Sequence, residues 1–288
     1  MTESLESWRH SGAWFSYRGH AVFVRRAGDP AAPALLLIHG FPTASWDYAP
    51  VWDGLAARWR VLTLDMLGFG FSAKPRRYAY RIADQADLVQ AFLQAEGIGT
   101  YHVLAHDYGD TVAQELLARN SADQHLASVC LLNGGIFPET HRPLPIQRLL
   151  SSPVGPLVAR LSTRSTFAVS MRRIFSRGRP PTADELDSLW SLVTGGDGRA
   201  VLAAVSRYRL ERRPQRPRWV GALQTARAPL RLINGTDDPI AGSAMAARYR
   251  ELVPAPDVVE LEGVGHYPQI EAPERVLRAY CNFRAGIP

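Results

Sequence analysis

Tyr101-His102-Val103-Leu104-Ala105-His106-Asp107-Tyr108-Gly109-Asp110-Thr111-Val112-Ala113-Gln114 is the stretch that decides the fold. Tyr101–Ala105 is a short apolar run of strand length, and Thr111–Arg119 carries a helical pattern. Between them, Ala105-His106-Asp107-Tyr108-Gly109 has the spacing of a sharp strand-to-helix turn with small residues at both ends. Small residues let the helix pack close to the strand. The central residue is then held at the strand's carboxyl end, and the amides opening the helix point at any oxyanion formed there. Asp107 stands at the centre, where such turns usually carry serine. A carboxylate with a reference pKa of about 3.9 is already ionised at neutral pH. It suits attack on an sp³ carbon bearing a leaving group, and the resulting enzyme ester must be cleaved by water in a second, assisted step. The simpler alternative, that Asp107 only caps the helix through Thr111, is opposed by matching motifs elsewhere.

Outward from this turn, strand-like and helix-like segments alternate. Ala13–Tyr17 and Ala21–Val24 flank a turn at Arg18-Gly19-His20 and predict an antiparallel pair. Ala34–Ile38, Val61–Leu64 and Ser128–Leu132 read as further strands, and Tyr48–Trp59 and Ile82–Ala95 as helices. The alternation predicts an α/β fold, a mostly parallel central sheet flanked by helices. It stops after Asn133 and resumes at Pro229–Ile233, Asp257–Leu261 and a closing helix at Pro273–Arg284. The stretch between is rich in proline and arginine and lacks strand-like runs, with helices expected at Ala183–Val193 and Arg199–Arg207. We therefore expect a core of residues 1–136 and 223–288, with a helical lid at 137–222.

Three more motifs fall at predicted strand ends. His39-Gly40-Phe41-Pro42 follows Ile38, which makes the Phe41 N–H an oxyanion donor beside that of Tyr108. Pro42 is expected to follow a cis bond. Gly235-Thr236-Asp237-Asp238-Pro239 follows Ile233 and offers Asp238, or less favourably Asp237, to orient a histidine. Gly263-Val264-Gly265-His266-Tyr267-Pro268 places His266 last in the order nucleophile, acid, histidine. His39 and His106 are expected to pack and hydrogen-bond around the site. Phe41, Trp46, Tyr108, Phe137, Trp190 and Trp219 are expected to line an apolar pocket with them.

Composition sets outer bounds. At 288 residues, 46% hydrophobic and 21% charged, the chain has the balance of a soluble globular protein. Cys130 and Cys281 are too few for a disulfide framework and match no metal site. The start, Met1-Thr2-Glu3-Ser4-Leu5-Glu6, has neither the basic nor the apolar region of a leader, and the longest apolar runs are strand-sized. A cytoplasmic protein with no membrane partner is expected, as monomer or homodimer. The net charge of +6 is uneven: residues 138–221 hold 15 arginines against 6 acids. No nucleic-acid-binding signature accompanies them, so no nucleic-acid partner is expected and the arginines read as a solvated face.

These motifs resemble the α/β-hydrolase superfamily over nearly the whole chain. His39–Pro42 and His106–Gly109 resemble its epoxide hydrolase–haloalkane dehalogenase branch. Residues 105–117, 133–143 and 218–223 are similar to the mesoderm-specific transcript subfamily. The resemblance implies an Asp107 nucleophile, His266 as base and Asp238 behind it, with no cofactor or metal. It implies a small hydrophobic substrate and water. Dehalogenases of this branch hold halide with a tryptophan after the nucleophile, where this chain has Tyr108. Epoxide hydrolases protonate the opening oxygen with lid tyrosines, and Tyr208 in Arg207-Tyr208-Arg209 resembles one of them. A second is missing, since no tyrosine lies between Tyr108 and Tyr208; His141 is an alternative donor. The expectation is epoxide opening to a diol. Dehalogenation of haloalkanes or haloacids, and a non-catalytic binding protein on the same scaffold, are the alternatives. Ester or lactone cleavage is disfavoured, because acyl transfer to a carboxylate gives an anhydride.

Overall fold

The computed structural model describes residues 3–120 and 125–287; Met1 and Thr2, part of the start read above, lie outside them. Eight strands form one sheet: β1 (Ala13–Tyr17), β2 (His20–Ala27), β3 (Ala34–Ile38), β4 (Arg60–Leu64), β5 (Tyr101–His106), β6 (Leu126–Leu132), β7 (Leu230–Gly235) and β8 (Val258–Leu261). Their order is β1-β2-β4-β3-β5-β6-β7-β8. The β1–β2 and β2–β4 pairs are antiparallel and the remaining pairs parallel. Every residue of β3 and β5 is buried, as expected of central parallel strands covered on both faces. The covering helices outside the β6–β7 connection are α1 (Leu5–His10), α2 (Ala49–Ala56), α3 (Ile82–Ala95), α4 (Tyr108–Arg119), α12 (Ser243–Leu252), α13 (Pro268–Glu271) and α14 (Pro273–Ala285).

The β6–β7 connection holds seven further helices and, among the described residues, no strand. They are α5 (Pro145–Leu150), α6 (Gly155–Leu161), α7 (Arg164–Ile174), α8 (Ala183–Thr194), α9 (Gly198–Ser206), α10 (Tyr208–Glu211) and α11 (Arg216–Thr225). Sequence periodicity found only α8 and α9. α5, α6 and α10 have seven residues or fewer, too few turns for a period to show. The lid boundary drawn at residue 222 falls inside α11, which lies along α4. There Arg218 (2.8 Å) and the Trp219 indole N–H (2.8 Å) both reach Glu115. Two other boundaries moved. Tyr48–Trp59 is a 3-10 turn at Ser45–Tyr48 followed by α2. α4 begins at Tyr108 rather than Thr111, because its first turn is wholly buried and shows no amphipathic contrast.

Gly109 explains how α4 starts where it does. A Cβ on it would lie 2.2 Å from the Ile38 carbonyl oxygen and 2.8 Å from that of His39. Only hydrogen lets the helix approach β3 this closely. Gly109→Ala is expected to destabilise the protein by about 1–3 kcal/mol, read as a lowered midpoint in urea unfolding; an unchanged midpoint would mean that the contact relaxes freely.

Candidate active site

The carboxyl ends of β3, β5, β6, β7 and β8 converge on one edge of the sheet, where open α/β folds bind ligands. Asp107 sits between β5 and α4 with φ +48° and ψ −101°. A positive φ is unfavourable for a residue with a Cβ and persists only where the surroundings impose it. The residue is 3% exposed. Its Oδ2 accepts the Phe41 N–H at 3.1 Å. Tyr108 opens α4, so its N–H is among those with no intrahelical acceptor. Of the two amides predicted as oxyanion donors, that of Phe41 meets the Asp107 carboxylate and that of Tyr108 lies free at the start of α4. The Phe41–Pro42 bond is cis.

His266 and Asp238 form a buried pair, Nδ1 to Oδ2 at 2.8 Å. Asp238 Oδ2 also accepts from Asn133 Nδ2 at 2.9 Å, and Oδ1 from the Ile240 N–H at 2.8 Å. Burial pushes the Asp238 carboxyl up, but His266, Asn133 and the Ile240 amide together hold it below the usual range. The neighbouring Asp237 is exposed; its amide donates to the Val264 carbonyl at 2.9 Å, which shapes the turn. For His266, burial works against the charged form, while Asp238 and then Asp107 favour it and raise the imidazole to about 9. Its backbone is fixed by an N–H bond to the Ile174 carbonyl at 2.8 Å, from the end of α7.

Tyr208 is buried, with its ring 4.4 Å from that of Tyr108 and 6.0 Å from that of Phe41. Burial and then the charge of Asp107 raise its phenol well above the ordinary value, so it stays protonated at neutral pH. The Arg212 guanidinium covers the Tyr208 ring at 4.8 Å and lies 3.9 Å from Asp107 Oδ1. It is 3% exposed and is held by a 3.2 Å bond to Thr111 Oγ1. Gly135 makes room for it, since a Cβ there would lie 2.0 Å from Nη1.

An apolar cavity of about 150 Å³ meets the site at Phe41 and His266 and is lined further by Pro42, Phe167, Met171 and Trp190 among others; Asp107 and Tyr208 are not part of its wall. Of the aromatic residues expected to line a pocket, Phe41 and Trp190 do. The other four do not: Tyr108 packs between Phe69 and Tyr208, and three face elsewhere. Trp46 and Trp219 turn their indole N–H groups to acceptors outside it, the Glu3 carbonyl at 3.1 Å and Glu115, as buried indoles require. Phe137 packs toward Tyr249, with ring centres 6.5 Å apart. His39 and His106 also lie outside the lining. His39 Nδ1–H donates to the Gly40 carbonyl at 2.9 Å, and Nε2 accepts the Met66 N–H at 3.0 Å; burial lowers its pKa. His106 Nε2–H donates to the His266 carbonyl at 2.7 Å, and burial, reinforced by His266, lowers it to about 4. Both are neutral struts. His141 packs beside Gly135, and burial, then Arg212, lower it well below the usual value, which leaves it a neutral donor at most.

Two contributors escaped the sequence reading. Asn133 (φ +44°) ends β6 and ties β7 to Asp238; an asparagine followed by two glycines at a strand end was its available signal. Arg212 had none, being one arginine among many.

The family described as the alpha/beta hydrolase fold matches residues 33–273. This chain belongs to the α/β-hydrolase family. It is 40% identical over 296 residues to the mesoderm-specific transcript protein of Mus musculus, covering 98% of this chain and 88% of that one. It is 27% identical to haloalkane dehalogenase 2 of Mycobacterium bovis, covering 92% of each. Among solved structures, a haloalkane dehalogenase from Bradyrhizobium elkani matches with a TM-score of 0.81 at 22% identity, over 96% of this chain and 98% of that one. The last likeness concerns the fold.

Proposed function

We propose that this α/β-hydrolase opens an epoxide to a diol through an ester at Asp107. The observation that carries the reading is the Asp107 carboxylate at a strained turn, with the Phe41 amide on one oxygen and the Tyr208 ring packed against its neighbours Phe41 and Tyr108. Substrate enters the cavity under a lid formed by α5–α10. An Asp107 oxygen attacks one epoxide carbon, the C–O bond breaks, and Tyr208 gives its proton to the departing oxygen. The negative charge of Asp107 disappears in the ester, so one of the influences holding the proton on His266 is lost. That proton restores the phenol through solvent. Neutral His266, oriented by Asp238, then takes a proton from water as the water attacks the ester carbonyl. The N–H groups of Phe41 and Tyr108 hold the oxyanion. Collapse breaks the ester C–O bond, the departing alkoxide takes the proton of the re-formed carboxylic acid, and the diol leaves with Asp107 ionised again, so epoxide and water are consumed one for one.

A second reading, dehalogenation, is favoured by the relative named as a haloalkane dehalogenase and by Trp190 in the cavity wall. Tyr208→Phe separates the two. Epoxide opening needs a proton donor, so its kcat/KM is expected to fall at least about 100-fold. Halide leaves without protonation, so turnover of a haloalkane would survive the change. An unaltered epoxide rate would remove Tyr208 from the mechanism.

A further inference from the structure

Residues 140–183 contain eight arginines and no acidic residue. Four of the large apolar side chains that stand exposed on this protein fall inside that segment within thirteen residues: Leu149 (48%), Val154 (52%), Leu157 (58%) and Leu161 (68%). They belong to α5, α6 and the turn between them. α6 is packed the opposite way to an ordinary surface helix. Its inner face carries the small residues Gly155 and Ala159, both buried, with Val158 half-buried against the core. A Cβ on Gly155 would lie 1.9 Å from the Leu150 carbonyl oxygen and 3.2 Å from Ala203 Cβ. Val154, Leu157 and Leu161, at i, i+3 and i+7, share the outer face and meet solvent. Arg148 and Arg160 stand exposed beside them, and neither makes an ion pair among the described residues. The expectation of a solvated arginine face accounts for these arginines but not for the outward leucines.

We infer that α5, α6 and their connecting turn are a docking surface for an anionic lipid membrane. An apolar ridge flanked by unpaired guanidinium groups matches the two layers of a lipid interface, with leucines reaching the acyl boundary and arginines the headgroup phosphates. No helix among the described residues is long and apolar enough to cross a membrane, so the contact is peripheral. The inner sides of the same helices face the apolar cavity, through Ile146, Gln147 and Leu150 of α5 and Ser162 at the end of α6. Docking would therefore set the cavity directly beneath the lipid surface, where an apolar substrate is concentrated.

The test is sedimentation of the full chain with sucrose-loaded vesicles of phosphatidylcholine, with or without about 30% phosphatidylserine. Binding is expected only with the anionic lipid, and should weaken as salt rises. The double change Leu157→Ser and Leu161→Ser is expected to lower the partition coefficient at least about tenfold. Arg148→Gln and Arg160→Gln should each lower it about fivefold. These side chains are exposed, so thermal midpoints should not move. Absence of binding, equal binding to both vesicle types, or binding that survives the leucine changes would overturn the inference. A soluble dimer, seen by analytical ultracentrifugation and dissolved by the same leucine changes, would assign the ridge to a second copy of this chain instead.

Discussion

With His266 replaced by glutamine, the protein is expected to gain the mass of one whole epoxide molecule and then stop. Glutamine keeps a polar side chain against Asp238 but cannot take a proton from water. Alkylation depends on Asp107 and Tyr208 and proceeds; hydrolysis of the ester depends on His266 and does not. Intact-mass measurement after incubation with a panel of aryl and alkyl epoxides would show the adduct. Steady-state turnover should fall by roughly 10⁴-fold or more. The wild-type pH profile follows from the same residue. His266 lies near 9 in the resting protein, partly because Asp107 is charged. In the ester that charge is absent, so its pKa there is lower. The base form increases with pH, so a turnover limited by ester hydrolysis should rise with pH and level off below about 9. A profile falling over that range would remove His266 as the base. A gain equal to a haloacid minus its halide, after incubation with haloacids, would establish dehalogenation in place of epoxide opening.

Asp107→Asn should eliminate both turnover and the adduct. Asparagine has nearly the same shape, and its amide oxygen can still accept the Phe41 N–H that Oδ2 accepts at 3.1 Å. The substitution therefore removes nucleophilicity with little change of form. Loss of a covalent nucleophile costs on the order of 10⁵–10⁶ in turnover. Combined with His266→Gln, it should leave the mass unchanged in the presence of epoxide, which locates the ester. Persistence of the adduct in the double variant would place it on another group. The change also strips buried Arg212 of a counter-charge 3.9 Å away. A moderate fall in the thermal midpoint is expected with it, and Arg212→Met in the same chain should recover part of that fall.

Motif spacing singled out Asp107, His266 and Asp238, because a strand-to-helix turn, a Gly-x-x-Asp-Pro segment and a glycine-flanked histidine each constrain a few adjacent residues, and the structure joins His266 to Asp238 at 2.8 Å. It also located the strands, whose apolar runs are local. The same reading assigned Trp46, Tyr108, Phe137 and Trp219 to a pocket that they do not line. An aromatic residue's type says that it is buried, whereas which wall it faces is set by the acceptor or ring it meets, here Glu3, Tyr249 and Glu115.

What the sequence by itself determined was the α/β alternation, the helical insertion and the chemical identity of the turn at Asp107. All three are written in residues close together along the chain. Only the tertiary structure decided that Asn133 braces Asp238, that Arg212 folds back over Asp107, and that α6 turns its leucines outward. Each depends on segments far apart in sequence meeting at one place. Arg212 and Asp107 are 105 positions apart, and Gly155 of α6 packs toward Ala203, 48 positions on, where an added Cβ would lie 3.2 Å from the Ala203 Cβ. Such contacts are fixed by packing between elements, and no local pattern of residues encodes them.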